Sequence, residues 1–408
     1  MERSTQPRLL QTLLPSLALT FLISLAALAI PGTAFAEGGR YRGLDPDARA
    51  ELEAVDIDKY VGAHAPAVSE DAGNGWTKHT YDAANGEGPI CITGSPFTVF
   101  TRQGNDPDKI AIFLDGGGAC WQDFYFCEPF ADQDAPPDVG IFAPSFDDGT
   151  RTLKNPLADY SIVAASYCDG SVWAGDNEVA DANFPFGPVR YHRGLRNLTA
   201  ALDLAKAEFG TPRRLFLSGA SAGGVGAAAF APSLARFVWG DRPLLMVFND
   251  AGPVVANLLP IFLIQQAIAA RAADWGFADF YPASCTDCAP DTQATAIIKW
   301  RLARDNRLKE AFYSTDGDST NRFFTAVQSQ IQYRFLITGE HGQVQAAFPD
   351  TYKVFIRSGD DSHTALGTDL FYTGEANGVP LNKWTNDFIK DKASWTSIVE
   401  DFVPVPDP

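Results

Sequence analysis

The sequence predicts an α/β protein: a mostly parallel sheet with helices on both faces and a partly helical cap. Three observations carry that expectation. From Lys109 onward, apolar runs of strand length alternate with runs of helical spacing. Several strand-like runs pass into polar or glycine-rich loops, where functional groups sit in a sheet of this kind. One strand turns into a helix through Gly219-Ala220-Ser221-Ala222-Gly223, with glycines at two-residue spacing about a serine. A sharp strand-to-helix turn requires that spacing, because a bulky residue at either site would collide with neighbouring backbone.

The elements follow in chain order. Arg3 and Arg8 open a basic stretch, "LLPSLALTFLISLAALAI" is apolar, and Ala34 and Ala36 place small residues before a cleavage after Ala36. Residues 1–36 therefore read as an export signal, although the apolar run is also long enough for an uncleaved anchor. The rest, 37–408, is expected to form a single catalytic domain with a cap over about 251–300. Residues 37–90 lack a clear period and read as an arm and edge elements. Strands are expected at Ile110–Leu114, at Tyr160–Ser166, from Leu215 into the serine turn, and ending at Asp250. Leu195, Leu198, Leu202 and Leu204 mark a helix that Gly210 stops. "VVANLLPIFLIQQAIAARAADWG" is expected to be helical on both sides of Pro260 and too interrupted to span a membrane. "KEAFYSTDGD" and "DTYKVFIRSGDDSH" each read as a strand followed by a polar loop.

Composition narrows the partners. Hydrophobic residues make up 46% of the chain, which argues against disorder. The formal charge is −18, and removing 1–36 with Glu2, Arg3 and Arg8 leaves about −19. Nucleic acid and anionic membrane surfaces are poor partners for such a chain. No stable membrane insertion is expected after signal cleavage. Six cysteines in an exported chain suit three disulfides. Cys120 and Cys127 lie close in one loop, Cys285 and Cys288 form a Cys-x-x-Cys, and Cys91 and Cys168 remain. No second Cys or His pair lies near Cys285 to complete a zinc site, so no metal is expected.

Free serine is a weak nucleophile and needs a base, an acid and an oxyanion hole. Of the five histidines, only His341 and His363 follow Ser221, as the order Ser, acid, His demands. His341 lies in "TGEHGQ", which reads as a polar surface turn. His363 follows a strand in "GDDSH" and is the preferred base, with Asp360 and Asp361 taken as solvating the loop. The acid is Asp316 or Asp318, with Asp318 preferred as the deeper loop position; an Asx turn with both carboxylates in water is the plain alternative. Its task is to hold the imidazole tautomer and stabilise the imidazolium. The oxyanion hole pairs the amide of Ala222 with Gly117 and Gly118 of "FLDGGGAC", whose bare backbone can approach a substrate. That loop lacks the Gly-Lys-Ser/Thr of a phosphate loop, and no dinucleotide fingerprint appears. No cofactor is required. Trp173 and Trp121 are expected to line the substrate pocket, Asp250 reads as structural, and the Asn197 sequon is discounted because it falls in a predicted helix.

The segments "FLDGGGACW", "YCDGSVWAGD", "HRGLRNL", "SGASAGG" and "DDSHTALG", in that order, resemble the pectin acetylesterase family, the family that includes Notum. The resemblance runs from about Cys91 to His363. It implies an α/β-hydrolase-type fold and a Ser-Asp-His triad, which by position falls on Ser221, Asp318 and His363. It also implies that Cys91 pairs with Cys168 and Cys120 with Cys127. The expected function is a secreted or periplasmic serine carboxylesterase whose substrate is an acylated small molecule or polysaccharide, with short acyl esters, such as acetyl, of a carbohydrate preferred. A longer-chain or broad-range lipid or protein-acyl esterase, with 254–269 as acyl pocket, is one alternative. A non-catalytic carbohydrate-binding relative is another.

Overall fold

The computed structural model describes residues 42–82, 86–252, 262–288, 295–327 and 329–405. The expected signal at 1–36 lies outside these residues, as do Pro260 and part of the expected cap. A helix, α1 (Pro46–Ala54), precedes the edge strands β1 (Val68–Gly73) and β2 (Trp76–Tyr81). Then come β3 (Phe97–Arg102), β4 (Lys109–Leu114), a small hairpin of β5 (Gly118–Trp121) and β6 (Phe124–Cys127), and β7 (Ser161–Ala165). The helix α2 (Gly194–Phe209) leads to β8 (Arg214–Ala220), α3 (Ala222–Ala228), α4 (Ala231–Trp239) and β9 (Leu244–Asp250). After α5 (Phe262–Trp275) and α6 (Ala296–Leu302) follow β10 (Leu308–Thr315), α7 (Ser319–Phe324), α8 (Gln330–Ala347), β11 (Tyr352–Arg357) and β12 (Ile398–Val399).

Ten of the described strands form one sheet in the order β1-β2-β3-β7-β4-β8-β9-β10-β11-β12. Pairing is antiparallel from β1 through β3 to β7, and parallel from β7 to β12. The parallel strands are buried on both faces, so alternate residues enter different cores. Ile110, Ile112, Leu215, Leu217, Leu245 and Val247 face the core built with α2, α3, α4 and α8. Phe113, Phe216, Met246 and Phe248 face the other core, with Trp384 and Phe388 of the Leu381–Ile389 helix. The fold is therefore the expected α/β-hydrolase-like one, with helices on both faces.

The predicted strands fall within a few residues of their observed bounds, and Gly210 ends α2 with φ 75° as its C-cap. Among the described residues, no helix is long and apolar enough to cross a membrane. Three disulfides join Cys91 to Cys168, Cys120 to Cys127 and Cys285 to Cys288. No group of three or more possible metal ligands occurs among the described residues.

One expectation about the helices fails. His341 is not on a surface turn but within α8, fully buried, stacked on Phe312 at 3.6 Å and bonded through Nδ1 to the Tyr352 hydroxyl at 2.6 Å. Gly339 and Gly342 read as turn residues, yet neither would meet another atom if it carried a Cβ. They sit on the open side of a helix whose packed side carries Tyr333, Leu336, Ile337 and Val344. Asn197 is buried in α2, and its amide donates to the Ile90 carbonyl, in keeping with the discounted sequon.

Candidate functional site

Ser221 lies between β8 and α3 with φ 55° and ψ −118°. A non-glycine residue holds that backbone only where its surroundings enforce it. Here the Ser221 N–H donates to the Asp250 carbonyl at 2.8 Å. A Cβ on Gly223 would lie 1.9 Å from the Leu114 carbonyl oxygen, so α3 begins hard against the end of β4 only because that residue is glycine. The turn is thus set by sequence on one side and by the neighbouring strand on the other.

The glycine loop after β4 reaches the same turn. A Cβ on Gly116 would meet the Ala220 carbonyl oxygen at 2.6 Å and the Ser221 Cβ at 2.8 Å. The Gly116 N–H donates to the carboxylate of Asp115 at 2.8 Å and is thereby occupied. Gly117 accepts from the Glu128 N–H at 2.8 Å, and Gly118 from the Tyr167 hydroxyl at 2.9 Å. With Gly118 opposite Cys127 and the Glu128 bond falling on Gly117, Gly118 occupies a non-hydrogen-bonded pair, and the ladder does not use its N–H. Ala222 is the first residue of α3, where an N–H lacks an intrahelical acceptor.

His363 follows β11 and accompanies Asp318, which follows β10. Nδ1 of His363 lies 2.7 Å from Oδ2 of Asp318. Nε2 is buried and has no hydrogen-bond partner among the described residues. Asp318 is fully buried and caps α7: its Oδ1 accepts the Asn321 N–H at 2.8 Å, and its Oδ2 accepts the Asn321 side-chain amide at 2.8 Å. Burial raises the Asp318 carboxyl above its ordinary range, against the opposing bond and charge of His363. Asp316, the other acid weighed, is occupied elsewhere by Gln330, Arg334 and the Ser358 hydroxyl.

One group went unremarked in the sequence, and another does more than its reading gave it. The Asn321 amide bridges Asp318 to the Ala251 carbonyl at 2.8 Å, and the Asp-x-x-Asn spacing of a helix cap was the available signal. Asp250, read as structural, holds the Ser221 turn with its carbonyl and the chain beyond His363 with its carboxylate.

The two tryptophans differ in placement. Trp121 stacks on Phe124 at 3.9 Å, in an aromatic group that extends to Phe126, Phe323 and Phe324. The Phe324 ring would lie 3.1 Å from a Cβ on Gly118, and Phe126 and Phe323 are more than half exposed. Trp173 is fully buried and donates its indole N–H to the Asp115 carbonyl at 3.0 Å. It supports the glycine loop from behind instead of forming a pocket mouth. A cavity of 470 Å³ is lined by Asp115, Ala220 and Thr364, next to Gly116, Ser221 and His363, but none of those three lines it.

Residues 148–255 match the sequence profile of the pectinacetylesterase family. The chain is pectinacetylesterase-like, and its class is carboxylic ester hydrolase. The matched segment contains Ser221 and Asp250; the glycine loop, Asp318 and His363 lie outside it. No curated protein matches the sequence. Among solved structures, two crystal forms of the Wnt deacylase Notum from Drosophila are similar. One superposes with TM-score 0.57 at 15% identity, covering 77% of this chain and 94% of that one. The other gives 0.56 at 14% identity, with 84% and 97% covered. At that identity the likeness is one of fold, and it extends the pectinacetylesterase-like class with an α/β-hydrolase-like architecture.

Proposed function

We propose that this chain is an exported serine carboxylesterase whose preferred substrates are short acyl esters of a carbohydrate. The observation that carries this reading is the His363–Asp318 bond of 2.7 Å, with Nε2 of His363 buried and without a partner among the described residues. With Asp318 accepting the Nδ1 proton, Nε2 is the basic nitrogen. It takes the proton of Ser221 as Oγ attacks the ester carbonyl. The amides of Gly117, Gly118 and Ala222 receive the oxyanion, each donor contributing on the order of 100- to 1000-fold in rate. His363 then protonates the departing alcohol, and water, deprotonated in turn by His363, releases the carboxylic acid and restores Ser221. The three disulfides support export, as does the reading of 1–36 as a signal.

A second reading has its own observation. The aromatic group of Trp121, Phe124, Phe126, Phe323 and Phe324 beside Gly118 suits a longer or aromatic acyl chain. Hydrolysis of acetyl through decanoyl aryl esters by residues 37–408, with acetylated polysaccharides alongside, separates the two. A sharp fall in kcat/KM beyond the shortest esters supports the first reading. A rise toward decanoyl overturns it in favour of the second.

A further inference from the structure

We propose that Asp250 is the positioning residue of the esterase site, joining the turn of the nucleophile to the loop of the base. The inference rests on the reading of Ser221 and His363 given above and assigns a new residue to it. Asp250 is the last residue of β9 and has no exposed surface. Its carbonyl accepts the Ser221 N–H at 2.8 Å. Its Oδ2 accepts the N–H of Leu366 at 2.7 Å and of Ala365 at 3.0 Å, and its Oδ1 is 3.1 Å from that same Ala365 nitrogen. Ala365 stands two residues beyond His363.

The next residue completes the set. Ala251 has φ 54°, and its N–H donates to the Tyr313 carbonyl at 2.8 Å. Its own carbonyl accepts the Asn321 amide that also holds Asp318. Two consecutive residues therefore touch the chain segments that carry Ser221, Asp318 and His363. These three side chains come from loops far apart in sequence, and a displacement of about 1 Å in one of them costs on the order of 100-fold in rate.

The chemistry of the carboxylate supports a role beyond filling space. A buried acid is unfavourable unless its oxygens are satisfied, and an apolar residue could fill the same volume. Burial pushes the Asp250 carboxyl up to about 7, opposed by the Leu366 and Ala365 amides and by the nearby His363, and reinforced by Asp318. Tyr313 also feels its charge.

Asp250→Ala and Asp250→Asn separate positioning from ordinary packing. In Asp250→Asn the side-chain oxygen can take the place of Oδ2 and accept both amides, so this variant is the conservative rescue. Asp250→Ala is expected to lower kcat by about 100-fold with KM within about threefold, and Asp250→Asn to recover at least about tenfold of that loss. The second readout is the downfield proton resonance of His363 Nδ1–H, which does not require turnover. It is expected to shift or broaden in Asp250→Ala and to return toward wild type in Asp250→Asn. Wild-type kcat and an unmoved resonance in folded Asp250→Ala overturn the proposal. Should that variant not fold, Asp250→Leu, which fills the volume but cannot accept the two amides, takes its place: a fall in kcat with a moved resonance supports the proposal, and wild-type kcat with an unmoved resonance overturns it. If the wild-type chain hydrolyses no ester, the esterase reading fails, while the resonance still tests whether Asp250 sets the His363 ring.

Discussion

Nδ1 of His363 lies 2.7 Å from Oδ2 of Asp318, although 45 residues separate them in the chain. The contact exists because β10 and β11 are parallel neighbours whose carboxyl ends place both loops on one edge of the sheet. Asp318 is held from its other side by Asn321, so the carboxylate reaches the imidazole already oriented.

On the proposed role of Asp318, Asp318→Asn removes the tautomer control of His363. Ester turnover is expected to fall by on the order of 10,000-fold with the fold intact. Asp316→Asn is the matched control. Its partners are Arg334, Gln330 and Ser358, so the expected loss is in stability, with kcat within about threefold of wild type. Steady-state kinetics and thermal melts of the two variants check the contrast.

Arg301 and Glu310 form a buried pair, with Arg301 Nη2 at 2.7 Å and Nε at 2.9 Å from one carboxylate oxygen. Arg301 also donates to the carbonyls of Ala228 and Ala229, at the end of the helix that Ser221 starts. Arg301→Met strands Glu310 in the core and is expected to cost about 3–5 kcal/mol in urea unfolding. The Arg301→Met, Glu310→Gln double variant is expected to recover part of that loss.

Buried carboxyls set the pH dependence of stability. Burial pushes Asp169 up to about 6, against the opposing Ser171 bonds, and Asp250 up to about 7. A raised folded-state pKa means the folded chain binds more protons than the unfolded chain above the ordinary carboxylate range. Stability from these groups is thus full below about pH 4 and declines up to the folded values. Asp169→Asn is expected to flatten that decline between about pH 4 and 6. Urea midpoints measured across this range check it.

The aromatic group beside Gly118 bears on chain length. Phe126 and Phe323 are 56% and 54% exposed and pack edge to face at 5.2 Å. If a long acyl chain lies there, Phe126→Ala with Phe323→Ala lowers decanoyl kcat/KM by roughly tenfold or more, because each ring offers about 1.5–3 kcal/mol of burial. Acetyl kcat/KM is expected to stay within about twofold. The chain-length series run on this double variant reads the result.

What the sequence disclosed follows what backbone geometry demands. The Ser221 turn was legible because Gly223 must be glycine where a Cβ would stand 1.9 Å from Leu114 oxygen. The parallel strands were legible because burial on both faces leaves unbroken apolar runs such as "KIAIFL" and "LLMVF". The choice between Asp316 and Asp318 was weaker, since two carboxylates in one loop differ only in partners that arrive from Arg334 and His363. His341 was misread because glycines on the open side of a helix look like turn residues. The double task of Asp250 depends on contacts with 221 and 365–366, neither of which is near it in the chain. The placement of Trp173 behind the loop, likewise, is set by Asp115 and Phe97.

Ser221 is the proposed nucleophile. That role is tested most directly by treating residues 37–408 with a fluorophosphonate and mapping the adduct by mass spectrometry while acetyl-ester hydrolysis is followed. One adduct is expected, on the peptide that contains Ser221, with activity lost in proportion and no adduct in Ser221→Ala. An adduct at another residue that tracks the loss of activity, or full hydrolysis by Ser221→Ala, would contradict it.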